Sequence, residues 1–212
     1  STPRGIAFFD TNNLAISDTG NNAIKLLKLA GNTVLTFAGG SGAGFADGDA
    51  DTAKFNAPWQ LTSAPNGSLI IADRLNHRVR ALTPEGTVAT IYGVGVDSND
   101  WVNVSFPSFP GWLDGTNALA NLPSSVLVGP KGTNIIVMEQ GYHLIRQAGG
   151  FSFAAAVGGT PAGGGITNSA VLPQNVISFG FANGEGSRLC VGAPGQMFIA
   201  QVTLTLPPTQ PV

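Results

Sequence analysis

Charged residues are scarce in this sequence. Only 10 lysines and arginines and 12 aspartates and glutamates occur among 212 residues. The charged fraction is therefore 10%, compared with about 25% in ordinary soluble domains. The positive residues form no cluster, and the formal net charge is -2. Because nucleic acids and anionic membranes are bound through clustered lysine and arginine, this composition argues against both as partners.

Cysteine and long hydrophobic runs are also rare. Cys190 is the only cysteine, which excludes an internal disulfide. No apolar run approaches the roughly 18 residues of a membrane helix, so we expect no membrane insertion. The hydrophobic fraction of 43%, with 12 phenylalanines and 3 tryptophans, is still sufficient for a core and excludes intrinsic disorder. A folded domain with a weakly charged surface is expected.

The chain contains an internal repeat. Its unit is a segment in which two apolar stretches flank an acid and a turn, with copies at 14–25, 69–80, 135–146 and, in degenerate form, 189–200. A proline and a short apolar stretch precede each copy, and a β-branched stretch that ends in glycine follows the first two. Each unit thus offers four short strands separated by glycine-containing turns. Four antiparallel strands per unit are typical of a propeller blade.

Two segments carry a family resemblance. The run Ile-Ala-Asp-Arg-Leu-Asn-His-Arg-Val-Arg at 71–80 and the glycine-rich run at 37–48 resemble the blade core and the inter-blade loop of the NHL-repeat β-propeller family. The resemblance implies a ring of typically six blades. It leaves function open, because such propellers include RNA-binding modules, lyases, lactone hydrolases and extracellular binding domains.

This chain is too short for six blades. The repeat predicts an all-β fold of four-stranded antiparallel blades, three of them full and a fourth partial, at approximately 3–57, 58–122, 123–172 and 173–206. Residues 207–212 are rich in proline and predict a tail or linker. The alternatives are an open arc, part of a larger propeller and a rare four-bladed ring. We expect one of the first two, in which other protein covers the end faces and strand edges.

Acidic residues recur at the end of the second strand of the first three blades. They are Asp18, Asp73 and Glu139, and the turn that follows them holds Asn21, Asn76, His77 and His143. Three carboxylates and two histidines in register could converge on a metal. We favour a structural interpretation in which the acid accepts backbone N–H groups of the following tight turn.

Two loops superficially resemble ligand sites. Asp47, Asp49 and Asp51 alternate as in a calcium loop, but the glycine and the twelfth-position glutamate are missing, so a solvated loop is expected. The glycine-rich runs at 39–44 and 158–165 are not followed by a helix start or by Gly-Lys-Ser/Thr, so we interpret them as connectors. No catalytic residue, metal or cofactor is predicted.

An insertion at 94–112 lengthens the second unit. Its aromatic residues are Trp101, Phe106, Phe109 and Trp112. Such side chains either plug the loop onto the blade or form a contact surface for a sugar or a protein, and the second alternative makes them candidate binding residues. Asn66 and Asn103 begin N-glycosylation triplets, which are modified only if the chain is secreted.

The features together favour a non-enzymatic, extracellular or cell-surface scaffold or interaction module within a larger protein or assembly. Its expected partners are proteins, either further copies of the chain or others that complete the propeller, with carbohydrate as a further candidate. The alternative is a propeller enzyme of the lyase or lactonase kind with a metal in the central channel. That alternative needs acids or histidines from several blades, and the chain has only 2 histidines.

Overall fold

The computed structural model describes residues 2–93, 120–129, 134–141, 144–149, 152–157, 178–181, 188–193 and 196–201. Throughout these ranges the regular structure is β-strand, apart from two single 3-10 turns at Thr19–Asn21 and Arg74–Asn76. All neighbouring strands in the sheets are antiparallel.

The strands form four sheets, one for each repeat. Blade 1 consists of β1 (Gly5–Phe8), β2 (Asn13–Asp18), β3 (Ala23–Lys28) and β4 (Thr33–Gly39). Blade 2 consists of β5 (Gly48–Asp49), β6 (Pro58–Ser63), β7 (Leu69–Asp73), β8 (Arg78–Leu82) and β9 (Thr87–Tyr92). Blade 3 consists of β10 (Pro123–Val128), β11 (Asn134–Glu139), β12 (Leu144–Gly149) and β13 (Ser152–Val157). The fourth sheet has three strands, β14 (Ser178–Phe181), β15 (Arg188–Ala193) and β16 (Gln196–Gln201).

Within blades 1 and 3 the strands lie in chain order, and β14 to β16 do the same in the fourth sheet. The predicted architecture of three full antiparallel blades and a partial fourth is therefore confirmed. The strands that begin at or just after the opening prolines, β1, β6 and β10, contact each other from blade to blade, β1 with β6 and β6 with β10. They are therefore the inner strands of the arc.

The connector between blades 1 and 2 differs from expectation. Residues Gly48 and Asp49 were expected in a solvated loop, but they form β5, which pairs with Val88 and Thr87 of β9. The backbone N–H of Ala50 also donates to a carbonyl of the β8–β9 turn, 2.7 Å away. The outer edge of β9 would otherwise be an unpaired strand edge, and the passing connector satisfies it.

The hydrophobic cores lie between blades. All five residues of β7 are buried because both faces of blade 2 are covered. Leu69 and Ile71 pack in the core shared with blade 1, while Ile70 and Ala72 pack in the core shared with blade 3. Burying one such aliphatic side chain stabilises the fold by about 1.5–3 kcal/mol. Stacked short strands thus replace long hydrophobic runs as the source of stability.

Candidate functional site

In blades 2 and 3 the recurrent acid joins the blade to the connector that leads into it. Asp73 is fully buried and accepts hydrogen bonds from the backbone N–H of Asn56 at 2.8 Å, the side-chain amide of Asn76 at 2.7 Å and the guanidinium of Arg80 at 2.9 Å. Burial raises the pKa of Asp73 to about 6, against the lowering effect of Arg80 and the two other donors. The carboxylate is thus a buried anchor for the connector.

Blade 3 uses its acid in the same way. The buried Glu139 accepts from the backbone N–H of Asn121 at 3.1 Å and from the hydroxyl of Tyr92 in blade 2. Asn121 stands two residues before the proline that opens blade 3, as Asn56 does in blade 2. The contact is therefore a repeated feature of the blade junction.

At Asp18 and Asp73, contrary to expectation, the carboxylates do not bind the backbone N–H groups of the following turn. Neither carboxylate caps the 3-10 turn that follows it. Each instead binds the side-chain amide of the turn's asparagine, Asn21 or Asn76, at 2.8 and 2.7 Å. In blade 2 the remaining acceptor positions are taken by the connector and by Arg80, which packing brings close from distant parts of the chain.

His77 forms a second contact of the blade junction. It has a left-handed backbone conformation with φ 54°, and its Nδ1 accepts the backbone N–H of Leu122 at 3.1 Å. Asn22, the equivalent residue of blade 1, has φ 53°, and its Oδ1 accepts the backbone N–H of Ala57 at 2.8 Å. Asparagine and histidine are therefore interchangeable acceptors at this position.

The ring of His77 is neutral because Nδ1 accepts a hydrogen bond. Burial, together with the charges of Arg74 and Arg78, lowers the pKa of His77 to about 4. Nδ1 is occupied by the blade junction and is not available as a metal ligand, while His143 lies outside the described residues. Within the described ranges, no group of three or more histidine, cysteine, aspartate or glutamate side chains could hold a metal ion.

The connector with the alternating aspartates contains a side chain that serves blade packing. Asp47 forms an ion pair with the fully buried Arg80 at 2.5 Å. It also accepts hydrogen bonds from the backbone and hydroxyl of Thr90. Arg80 additionally donates to the carbonyls of Ala46 and Lys54. Asp47 is therefore already paired with an arginine.

The outer face of blade 1 is apolar and exposed. Cross-strand pairing places Phe8, Leu14, Leu27 and Val34 in one row, in which Phe8 is 66% and Val34 56% exposed. Ile6, on the same face, is 62% exposed. We call the row with Ile6 the outer face of blade 1.

The same row is buried in blade 2. Pairing there aligns Ser63, Leu69, Leu82 and Val88, and the three apolar side chains are at most 1% exposed because blade 1 covers them. The outer face of blade 1 therefore corresponds to the surface that another blade covers in blade 2.

A cationic cluster lies on the face of the arc at which the inner strands begin. The Cζ atoms of Arg4 and Arg74 lie 4.4 and 4.6 Å from the ring centroid of Trp59. Arg74 also donates to Oε1 of Gln140 in blade 3 at 3.0 Å. These residues come from three blades, since Arg4 precedes β1, Trp59 lies in β6 and Gln140 follows β11. We call them the Arg–Trp cluster.

Sequence reasoning missed the Arg–Trp cluster because its members are far apart and belong to no motif. A signal was present in the repeat register. Arg4, Trp59 and Ser124 each follow the proline that opens a blade, and Thr19, Arg74 and Gln140 each follow the recurrent acid. The sequence varies at these positions while the residues beside them repeat.

Of the predicted binding and modification sites, one lies within the described residues. Trp101, Phe106, Phe109, Trp112 and Asn103 lie outside the described residues. Asn66 is exposed in the turn between β6 and β7, where its Oδ1 accepts the backbone N–H of Ser68 at 3.1 Å. Its side chain is therefore at the surface.

Similarity to known proteins is confined to structure. No protein-family model and no curated protein matches this chain. Selenomethionine-substituted virginiamycin B lyase from Staphylococcus aureus aligns with TM-score 0.58 and 13% identity over 96% of this chain and 52% of its own. An auxiliary nutrient binding protein from Bacteroides ovatus aligns with TM-score 0.60 and 14% identity, over 90% of this chain and 45% of its own. A chain of a nidogen/laminin complex aligns with TM-score 0.52 and 11% identity, over 94% and 64%.

These likenesses define the class by fold. The chain is a β-propeller arc, and it spans about half the length of the lyase and of the nutrient binding protein. No helix in the described ranges is long and apolar enough to cross a membrane.

Proposed function

We propose that this chain is a non-enzymatic β-propeller module of the NHL-repeat type that acts at the cell surface or outside the cell by binding other protein. The observation that carries this proposal is the outer face of blade 1. Phe8 and Val34 at the ends of its row are exposed and the two leucines between them are half-buried, although the same row of blade 2 is buried against a neighbouring blade. Contiguous apolar surface of this kind is typical of a contact site.

The chemistry of that face specifies its partner. Apolar contact over Ile6, Phe8 and Val34 needs a complementary apolar surface, and strands carry such a surface on the inner faces of blades. The partner is therefore protein: a further copy of this chain, or another chain or segment that completes the propeller. The alignment with about half of two longer propellers supports an incomplete ring.

Further support comes from the kinds of structures that share the fold. One neighbour is described as nutrient binding and another is part of a complex between two proteins. Low charge and exposed Asn66 support an extracellular location. We propose the insertion with Trp101 and Trp112 as a second contact surface, for a sugar or a protein.

The proposal is tested with Phe8→Ser, which introduces the residue found at the equivalent position of blade 2, Ser63. Ile91→Ser is the matched control, because Ile91 is also an exposed apolar side chain but lies on β9. Light scattering across a concentration series should show association of the native chain and of Ile91→Ser. Phe8→Ser should shift the molar mass towards the monomer.

A native chain that stays a compact monomer at all concentrations would refute self-association. Equal loss of association in both variants would mean that general apolar exposure, rather than the outer face of blade 1, drives the contact.

A further inference from the structure

We propose that the Arg–Trp cluster is a binding site for a small ligand that carries an oxyanion group, such as a carboxylate, sulfate or phosphate. The proposal concerns a different surface from the outer face of blade 1 and goes beyond protein association. It follows from uncompensated positive charge, from the geometry of the arginines around one ring and from the pattern of the repeat.

The positive charge of the cluster lacks an acidic partner within the described ranges. Ion pairs there involve Arg80 with Asp47 and Asp73, and neither Arg4 nor Arg74 takes part in one. The only side-chain hydrogen bond of Arg74 there goes to a neutral amide, that of Gln140, and its buried Nε has no partner. Arg80 shows how the same blade treats an arginine whose role is structural: both its charge and its donors are satisfied.

The two arginines also repel each other. Burial lowers the pKa of Arg74, and the charge of Arg4 lowers it further. The indole of Trp59 compensates in part, because its ring face attracts cations within about 6 Å of its centroid. An oxyanion would offset the remaining repulsion, and the planar guanidinium fork is suited to paired oxygen acceptors.

The site is accessible and is built by several blades. Arg4 is exposed, while Trp59, Arg74 and Gln140 are half-buried. Blade packing holds Trp59 and Gln140, since Trp59 lies on β6, which contacts β10, and Gln140 follows β11, the neighbour of β10 in blade 3. Ser124, the residue of blade 3 equivalent to Trp59, has a buried hydroxyl without a hydrogen-bond partner among the described residues. Arg4 and Arg74 meet at Trp59, and Arg74 joins them to the amide of Gln140, so donors from three blades lie together.

The repeat pattern separates this cluster from the structural frame. Prolines and acids recur in the first three blades, and the acids of blades 2 and 3 bond the connector at the blade junction. At the position after the opening proline the first three blades hold Arg4, Trp59 and Ser124. At the position after the acid they hold Thr19, Arg74 and Gln140. A blade therefore folds with threonine or glutamine in place of Arg74, so blade architecture does not require the arginine.

The test uses variants that the repeat itself supplies. Arg74→Gln introduces the residue that follows the acid in blade 3, Gln140. Arg4→Ser introduces the residue that follows the opening proline of blade 3, Ser124. Lys28→Gln, which removes an exposed positive charge at the end of β3, is the matched control. Each full-length protein is titrated with acetate and with inorganic sulfate at constant ionic strength, and acetamide serves as the neutral probe.

Binding is followed by the indole N–H resonance of Trp59, assigned through its absence in Trp59→Phe. The native protein and Lys28→Gln should show a saturable shift with at least one anion and none with acetamide. Arg74→Gln and Arg4→Ser should each weaken the apparent affinity at least tenfold. Linear shifts with every anion, or equal affinities in all variants, would overturn the proposal, while light scattering of the same variants reports protein association independently.

Discussion

The blade junction at His77 predicts a specific dependence of stability on pH. His77 accepts the N–H of Leu122 as a neutral ring, and its pKa is about 4 in the folded chain. An unfolded histidine titrates near 6.5. Between these values the unfolded chain binds more protons than the folded chain, so stability falls as pH decreases. The contribution is complete above about pH 6.5 and is lost as pH falls towards 4.

The magnitude follows from the size of the pKa shift. If the whole pKa shift of His77 were expressed as stability, the free energy of unfolding would fall by at most about 3 kcal/mol. Solvent screening around the half-buried ring reduces the expected loss to about 1–2 kcal/mol. Asp73 acts in the opposite direction, because its pKa is raised to about 6 and the folded chain therefore takes up a proton more readily than the unfolded one. The native pH profile is the sum of both effects.

The substitution His77→Asn isolates the histidine. Asn22 already shows that asparagine adopts the left-handed conformation and accepts the equivalent N–H at 2.8 Å. His77→Asn should therefore match native stability at pH 7.5 within about 0.5 kcal/mol. His77→Ala loses the acceptor and strains the backbone, and should lose about 1–2 kcal/mol there.

Urea unfolding at fixed protein concentration, at pH 7.5, 6.5, 5.5 and 4.5, measures the effect. Subtraction of the His77→Asn profile from the native one removes Asp73 and leaves the histidine contribution, which should decline over this range. The reasoning fails if His77→Asn keeps the native pH dependence, or if the ring titrates near pH 6.5 in the folded protein by NMR.

Two further predictions concern the buried ion pair and the surface turn. Arg80→Ala should reduce the free energy of unfolding by about 3–5 kcal/mol because it leaves Asp73 buried without its cation, whereas Lys25→Ala at the equivalent position of blade 1 should cost less than about 1 kcal/mol in the same urea assay. Protein from its native source should carry a glycan on Asn66 or Asn103, detected as a mass shift; unmodified asparagine at both positions would count against an extracellular location.

The strands were predictable from the sequence because their signals are local. Alternating apolar residues, turn glycines and the repeated acid mark each blade without knowledge of its neighbours. The formation of β5 was not predictable in this way. It depends on where the connector passes the edge of β9, which is a consequence of packing rather than of the propensity of Gly48 and Asp49.

The partners of charged side chains were likewise beyond sequence reasoning. The carboxylate of Asp73 is bonded within the fold, and its bond to Asn56 joins the end of β7 to a connector that lies earlier in the chain. The Arg–Trp cluster has the same character, since Arg4 and Arg74 meet only through the position of Trp59. Comparison of equivalent positions among repeats is the sequence signal that singles out these residues.

Comparison of blades 1 and 2 also specifies what a partner of the outer face of blade 1 must provide. In blade 2 the preceding connector supplies an N–H to Asp73 and carbonyl oxygens to Arg80. In blade 1 the equivalent Asp18 has a buried Oδ1 with no partner among the described residues.

Lys25, equivalent to Arg80, bonds instead to Thr36 of its own blade at 2.6 Å. The unpaired Oδ1 and the exposed apolar row mark the same face of the sheet, since Asp18 and Phe8 lie on the side that corresponds to Asp73 and Ser63. A surface that covers the row and also offers a backbone N–H beside Asp18 would complete both. An inner blade face with its connector has that combination, so the partner we infer is a further propeller blade rather than an unrelated apolar surface.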